Sequence, residues 1–301
     1  MTPLQRYIAE EIAIDHVDGL LSRREALRRL ALLGVGTAAA TALIAGCSDN
    51  RQPEENPASP SETAPGDGPP GAQTAVETTP ITWAGPRGEL QGAWAEASEP
   101  RGAVLVIHEN KGLNDHIRSV TGRFAGIGYS ALAIDLLSGQ GGTGAFADPA
   151  EATAALSKIP PRDAVADMRS GIDELSRRVP DRKLAAVGFC LGGAMVWRLL
   201  NAGEPRLSAA VPFYGPTPQN VDFAKSKDVA VLGIYAAQDE RVNATEPVAR
   251  AALEKAGMQF ELVTEPDANH AFFNDTGKRY NAAAAADAWQ RVQDWFTRYL
   301  V

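Results

Sequence analysis

The sequence predicts an α/β fold, a mostly parallel central sheet with helices on both faces. Two observations carry this expectation. From residue 103 onward, short apolar runs of strand length alternate with stretches of helical periodicity. Several of these runs are apolar without interruption, as expected of strands buried on both faces of a parallel sheet. The composition agrees: 301 residues, 45% hydrophobic and 22% charged, are enough for one sizeable core.

The elements follow in order. Ile81–Ala84 and Leu90–Ala95 flank a Gly85-Pro-Arg-Gly88 turn and predict an N-terminal hairpin. Strands are predicted over Ala103–His108, Ser130–Ile134, Leu184–Gly188, Ala209–Phe213, Val229–Tyr235 and Gln259–Val263. Helical patterns lie near residues 116–126, 163–178, 191–201, 245–256 and 282–299. In the second of these, Val165, Met168, Ile172 and Leu175 recur at spacings of three and four. No internal repeat is visible, and residues 81–301 suit a single domain.

The first 80 residues read differently. Ser22-Arg23-Arg24-Glu25-Ala26-Leu27 precedes a weakly apolar run, Leu30 to Gly46, which ends in Leu43-Ile-Ala-Gly-Cys47. A charged start, a short apolar stretch and small residues before a cleavage point make a signal peptide over residues 1–46. The paired arginines resemble a twin-arginine signal, although Ala26 rather than an aromatic or leucine stands second after them. Ile-Ala-Gly-Cys resembles a bacterial lipobox, which implies lipidation of Cys47 and an exported, membrane-anchored lipoprotein. Two alternatives stand beside this: an uncleaved membrane anchor, since the apolar run is near the lower limit for spanning a bilayer, and a cytosolic amphipathic segment. Residues 47–80 contain Pro53, Pro57, Pro60, Pro65, Pro69, Pro70 and Pro80 among Ser, Glu, Gly and Thr, and are expected to form a flexible linker. Processing at Cys47 removes Arg6, Arg23, Arg24, Arg28 and Arg29 together with Glu10, Glu11, Asp15, Asp18 and Glu25, so the net charge of −8 is unchanged.

That charge, from 29 basic and 37 acidic residues, argues against a nucleic-acid-binding face. The four histidines (His16, His108, His116, His270) show no metal-ligand spacing, so neither metal nor organic cofactor is implied. The two cysteines, Cys47 and Cys190, have separate roles, and no disulfide is expected.

Cys190 stands where chemistry is concentrated. A buried strand runs into Gly188-Phe-Cys190-Leu-Gly192-Gly193 and then into a helical stretch. This is the G-x-nucleophile-x-G elbow of α/β-hydrolases in its strand-turn-helix setting. The tight turn pushes the nucleophile outward and leaves no room for side chains at 188 and 192. The helix start favours an anion, here a thiolate or an oxyanion. A structural cysteine beside a Gly-rich turn is the bland alternative; the partners downstream weigh against it. Asp239 follows the strand ending at Tyr235, and His270 follows the strand ending at Val263. The order nucleophile, acid, histidine is that of the α/β-hydrolase triad, with both partners in loops at the carboxyl ends of strands. His270 would take or hold the thiol proton, and Asp239 would fix the imidazole tautomer. Glu240 competes with Asp239. His108 and His116 compete with His270, but neither follows a late strand, and His108 is expected to be a hydrogen-bonded structural residue.

Ile107-His-Glu-Asn-Lys-Gly-Leu113, the Cys190 elbow, Val211-Pro-Phe-Tyr-Gly215 and His270-Ala-Phe-Phe273 together resemble the dienelactone hydrolase (carboxymethylenebutenolidase) family over residues 81–301. The resemblance implies an α/β-hydrolase fold and a cysteine-dependent hydrolase of small-molecule esters or lactones. It gives Glu109 a part in activating the thiol. The backbone N–H groups of Asn110 and Leu191 would form the oxyanion hole. Arg279 is the candidate for a substrate carboxylate, against a solvated loop arginine. Tyr214 and Phe272 either line the pocket or belong to the core. The expected route is acyl transfer through a thioester, which favours esters, lactones or thioesters over amides. Two other readings stay open: a related exported carboxylesterase or peptidase, and an inert tethered binding protein of the same fold.

Overall fold

The computed structural model describes residues 1–49 and 68–301. They fall into two compact units, one within Met1–Asp67 plus Phe146–Ile159 and the other Gly68–Ala145 plus Pro160–Val301. The first holds helices α1 (Pro3–Val17), α2 (Arg23–Leu32) and α3 (Thr37–Asp49). Thr2 and Gln5 cap α1 reciprocally, each side chain accepting from the other's backbone N–H at 3.1 and 2.9 Å. On α2, Glu25 pairs with Arg28 and Arg29 at 2.8 and 2.7 Å, while Ala26 and Leu30 are buried. The apolar run from Leu30 to Gly46 is not one helix: a turn at Leu33 and Gly34 divides it between α2 and α3. Among the described residues no helix is long and apolar enough to cross a membrane.

The larger unit opens with a hairpin, β1 (Thr79–Gly85) and β2 (Gly88–Ala95). It continues with β3 (Gly102–Ile107), α4 (Asp115–Gly126) and β4 (Tyr129–Asp135). The chain then contributes α5 (Pro149–Leu156) to the smaller unit. It returns through α6 (Pro161–Arg178), β5 (Leu184–Phe189), α7 (Leu191–Ala202), β6 (Leu207–Phe213) and β7 (Ala230–Ala236). A short α8 (Glu240–Asn243), α9 (Glu246–Ala256), β8 (Phe260–Glu265) and α10 (Ala282–Tyr299) complete it. The strands form one sheet in the order β1-β2-β4-β3-β5-β6-β7-β8, parallel from β4 to β8 and antiparallel at β1 and β2. Strands β3, β4, β5 and β7 are buried along their whole length, which is why they read as unbroken apolar runs. The apolar stripe of α6 is buried too.

The topology locates a site before any side chain is considered. From β3 the chain moves one way across the sheet to β4; from β5 it moves the other way to β6. Right-handed crossovers in opposite directions put α4 and α7 on opposite faces and leave a crevice between the carboxyl ends of β3 and β5. Glu109, Asn110 and Cys190 follow those two ends.

The linker expectation needs correction at its second half. Residues 50–67 lie outside the described residues. Residues 71–76, however, run across α4: Val76 N–H donates to Gly122 O at 3.0 Å, and a Cβ on Gly122 or Gly126 would lie 2.1 Å from the carbonyl oxygen of Val76 or Thr74. Two glycines one turn apart make a groove in the helix that accepts backbone. The Pro-rich composition hid this, because the contact is made by main chain.

Candidate active site

The elbow is built by close backbone packing. Cys190 sits at φ 56°, ψ −114° between β5 and α7, a conformation L-residues avoid and one that costs on the order of 1–3 kcal/mol. A Cβ at Gly188 would lie 2.2 Å from Gly192 O, and one at Gly192 would lie 2.2 Å from Ile107 O and 2.8 Å from His108 O. The Cys190 N–H donates to Phe213 O at 3.1 Å. Below the turn, Gly215 packs on Gly193 and Ala194, and its carbonyl accepts from Trp197 Nε1 at 3.1 Å. The motifs around residues 107, 190 and 213 thus form one tightly fitted junction. Leu191 is the first residue of α7, so its N–H has no acceptor within the helix.

His270 lies in the loop after β8, and its Nδ1 is 2.5 Å from Asp239 Oδ2. Asp239 ends the β7 loop as the N-cap of α8, its Oδ1 accepting from Val242 N–H at 3.3 Å. Its neighbour Glu240 is exposed, which separates the two competitors. Both Asp239 and His270 are 4% exposed. Burial works against the Asp239 carboxylate, but His270, helped by Arg241, holds its pKa below the usual value. Burial likewise opposes the imidazolium, yet the Asp239 carboxylate and the Cys190 sulfur, both hydrogen-bonding neighbours, raise His270 well above its ordinary value. With Nδ1 taken by Asp239, Nε2 is the ring atom left for the sulfur. His108 and His116 are buried too but take other partners: Glu109 O and Leu136 N–H for His108, Asp275 for His116.

Glu109 is 5% exposed, at the end of β3. Its Oε2 accepts from Asn274 Nδ2 at 2.6 Å, and its Oε1 has no hydrogen-bond partner among the described residues. Asn274 is itself oriented, since its Oδ1 accepts from Thr276 N–H at 3.0 Å and from Thr276 Oγ1 at 2.7 Å. Tyr214, at φ 35°, is fully buried with its ring 5.2 Å from that of His270 and 5.4 Å from that of Phe272. Its hydroxyl is pushed far up by burial and by the nearby charges of Glu109 and Cys190, so it stays protonated. Phe272 is fully buried as well. Both rings pack beside the imidazole, Tyr214 against His270 and Phe272 against Tyr214. Arg279 is half-buried on the His270 loop.

Sequence reasoning missed the anchor of this loop. Asp275 accepts from Arg123 Nη2 at 2.7 Å and lies 2.6 Å from His116 Nδ1, both side chains coming from α4. Only the pair Asn274-Asp275 itself hinted at it, and nothing local named α4 as the partner. Burial would raise the Asp275 carboxyl, but His116 and Arg123 hold it at about 2. A folded pKa below the unfolded value of about 3.8 gives stability that is present above that pH and lost as pH falls toward 2. Asp275→Asn should therefore lower Tm at pH 7 by roughly 10 °C, because it strands a buried guanidinium at a cost of about 3 kcal/mol. The gap from the parent should shrink between pH 4 and 2 in calorimetric scans; a constant gap would refute the assignment.

A strained strand-to-helix elbow at the crest of a mostly parallel sheet, with an aspartate–histidine pair on later loops, is the arrangement of α/β-hydrolases. The profile of the Dienelactone hydrolase family matches residues 90–300. A protein of Escherichia coli (strain K12), provisionally named a carboxymethylenebutenolidase, is 35% identical over 216 residues, 68% of this chain and 79% of that one. Another so named, from Saccharolobus solfataricus, is 31% identical over 238 residues, 68% of this chain and 92% of that one. A provisionally assigned dienelactone hydrolase from Klebsiella pneumoniae subsp. pneumoniae superposes with a TM-score of 0.64 at 31% identity, covering 74% of this chain and 99% of that one. The chain belongs to the dienelactone hydrolase family, and it is a hydrolase acting on carboxylic ester or lactone bonds.

Proposed function

We propose that the hydrolysis runs through a Cys190–His270–Asp239 triad and a thioester intermediate. The observation that carries this is the 2.5 Å Asp239–His270 bond with the elbow sulfur as the ring's other neighbour. The Cys190 sulfur attacks the carbonyl carbon, and the carbonyl π electrons move to oxygen. The N–H groups of Asn110 and Leu191 receive that oxyanion. On collapse the alkoxide leaves and takes the proton held on His270, which leaves the acyl group on sulfur. The imidazole then removes a proton from water as the water attacks the thioester, and the thiolate departs. Glu109, buried at the carboxyl end of β3 with Oε1 unpartnered among the described residues, is the group proposed to help activate the thiol when substrate arrives. Arg279 is the group proposed for a substrate carboxylate.

The test is turnover of aryl esters and of a dienelactone by the purified protein, with intact mass recorded after rapid acid quench. A transient acyl adduct on the peptide containing Cys190 is expected. Turnover without any adduct under single-turnover conditions would exclude the thioester route, and no turnover of either class would exclude the substrate class. Arg279→Ala should raise KM for the dienelactone and leave the neutral aryl ester unaffected.

The organisation proposed around this enzyme is a signal over residues 1–46, a lipidated Cys47, a tether and the catalytic domain, held on the outer side of a bacterial membrane. It rests on Arg23, Arg24 and Ile44-Ala-Gly-Cys47. More than one acyl chain is needed for a stable anchor. Mass analysis of membrane-extracted protein should find a mature, acylated N-terminus at Cys47; an intact Met1 would refute it.

A further inference from the structure

His108 lies on the crevice but has no part in the triad. Its ring is fully buried, and both nitrogens are engaged. The Leu136 N–H donates to Nε2 at 3.2 Å, so Nε2 carries the lone pair. The proton is therefore on Nδ1, which donates to Glu109 O at 2.7 Å. Burial lowers the imidazole pKa despite Asp135 and Glu109 nearby, so the ring keeps this neutral tautomer.

The acceptor is informative. Glu109 O and Asn110 N–H belong to one planar trans peptide and point in opposite directions. Whatever holds the carbonyl therefore aims the N–H. Glu109 O receives a second bond from Gly112 N–H at 3.3 Å, so the peptide is held from behind by two donors. The same strand end abuts the elbow, where Gly192 packs on the carbonyls of Ile107 and His108. A donor on the carbonyl also polarises the peptide and strengthens its N–H, by about 10–30%.

We propose that His108 is a positioning residue for the oxyanion hole: by donating to Glu109 O it orients and polarises the peptide whose N–H, at Asn110, receives the substrate oxyanion. The proposal rests on the acyl-transfer reading, in which Asn110 is one of the two donors. It assigns to His108 a contribution to the chemical step, with no direct contact to substrate.

The experiment compares two reactions of the same thiol in the full-length protein. Ester hydrolysis develops an oxyanion; alkylation of Cys190 by iodoacetamide, a displacement at saturated carbon, develops none. His108→Ala should lower kcat for an aryl ester roughly 10²-fold, the usual cost of an impaired oxyanion donor. KM and the alkylation rate should stay within about threefold. His108→Asn keeps a donor at the δ position and should recover at least tenfold of the lost kcat. If His108→Ala is too unstable to purify, His108→Asn carries the comparison, with kcat expected within about tenfold of the parent. Parallel loss of esterase and alkylation rates, or an unchanged kcat, would overturn the role of His108. A parent protein that is alkylated but hydrolyses no ester would instead overturn the acyl-transfer reading on which the proposal stands.

Discussion

Cys190→Ala should lower ester turnover by about 10⁴-fold or more, with the fold and Tm nearly unchanged. In the proposed mechanism Cys190 is the attacking group, so its loss removes the covalent route altogether. What survives is the rate that an oxyanion hole and substrate binding give to attack by water, which in triad hydrolases is a small remainder. Cys190→Ser should fall well below the parent as well. A hydroxyl does not exist as an anion beside the imidazolium, so His270 must remove its proton within the transition state. The electrostatics give a second readout that needs no substrate. His270 is raised by two neighbours, Asp239 and Cys190. Removing the sulfur should lower the imidazole titration seen by NMR, whereas Asp239→Asn should lower it further, because Asp239 is the stronger of the two. An alanine variant that kept turnover within tenfold would rule out cysteine catalysis.

The second large effect is one of shape. Gly192→Ala places a methyl group 2.2 Å from Ile107 O and 2.8 Å from His108 O. Both are backbone atoms at the end of a buried strand, so neither can rotate away. Either the elbow or the loop after β3 must shift, at a cost of about 3 kcal/mol or more. A shift near 1 Å is enough to lower the rate about 10²-fold by misplacing the reacting atoms. Gly139→Ala, where an added Cβ meets nothing within 4 Å, should lie within about 0.5 kcal/mol of the parent. Paired melts and esterase rates test this, and equal behaviour of the two variants would refute the packing argument.

These examples show what kind of information local sequence holds. Strands β3 and β5 were legible because burial on both faces leaves only apolar residues. The elbow was legible because carbonyls pressed to 2.2 Å admit only glycine at 188 and 192. Asp239 and His270 were legible because chain order and strand ends constrain them. Asn274 was not, since its bond to Glu109 joins residues 165 apart and any polar side chain there would have read as loop. Nothing local marks Arg123 as buried, although it is 1% exposed, and nothing local pairs it or His116 with Asp275. Only the loop folded over α4 gives them a partner. Helix α5 was missed because eight Ala-rich residues are too short for periodicity to show.

The strand of main chain laid into the α4 groove has a practical consequence for where the catalytic unit begins. Gly71 packs against Trp289 of α10 and the stem of Arg123, and residues 74–76 cover Gly122 and Gly126. A fragment starting at residue 81 would leave in water one side of Trp289 and the groove of α4, the helix that also carries the anchor of the His270 loop. One starting at residue 68 keeps the strap, and with it the surface that α4 was shaped to hide. The compact catalytic unit therefore begins at Gly68, well upstream of its first strand at Thr79, inside what composition alone describes as spacer.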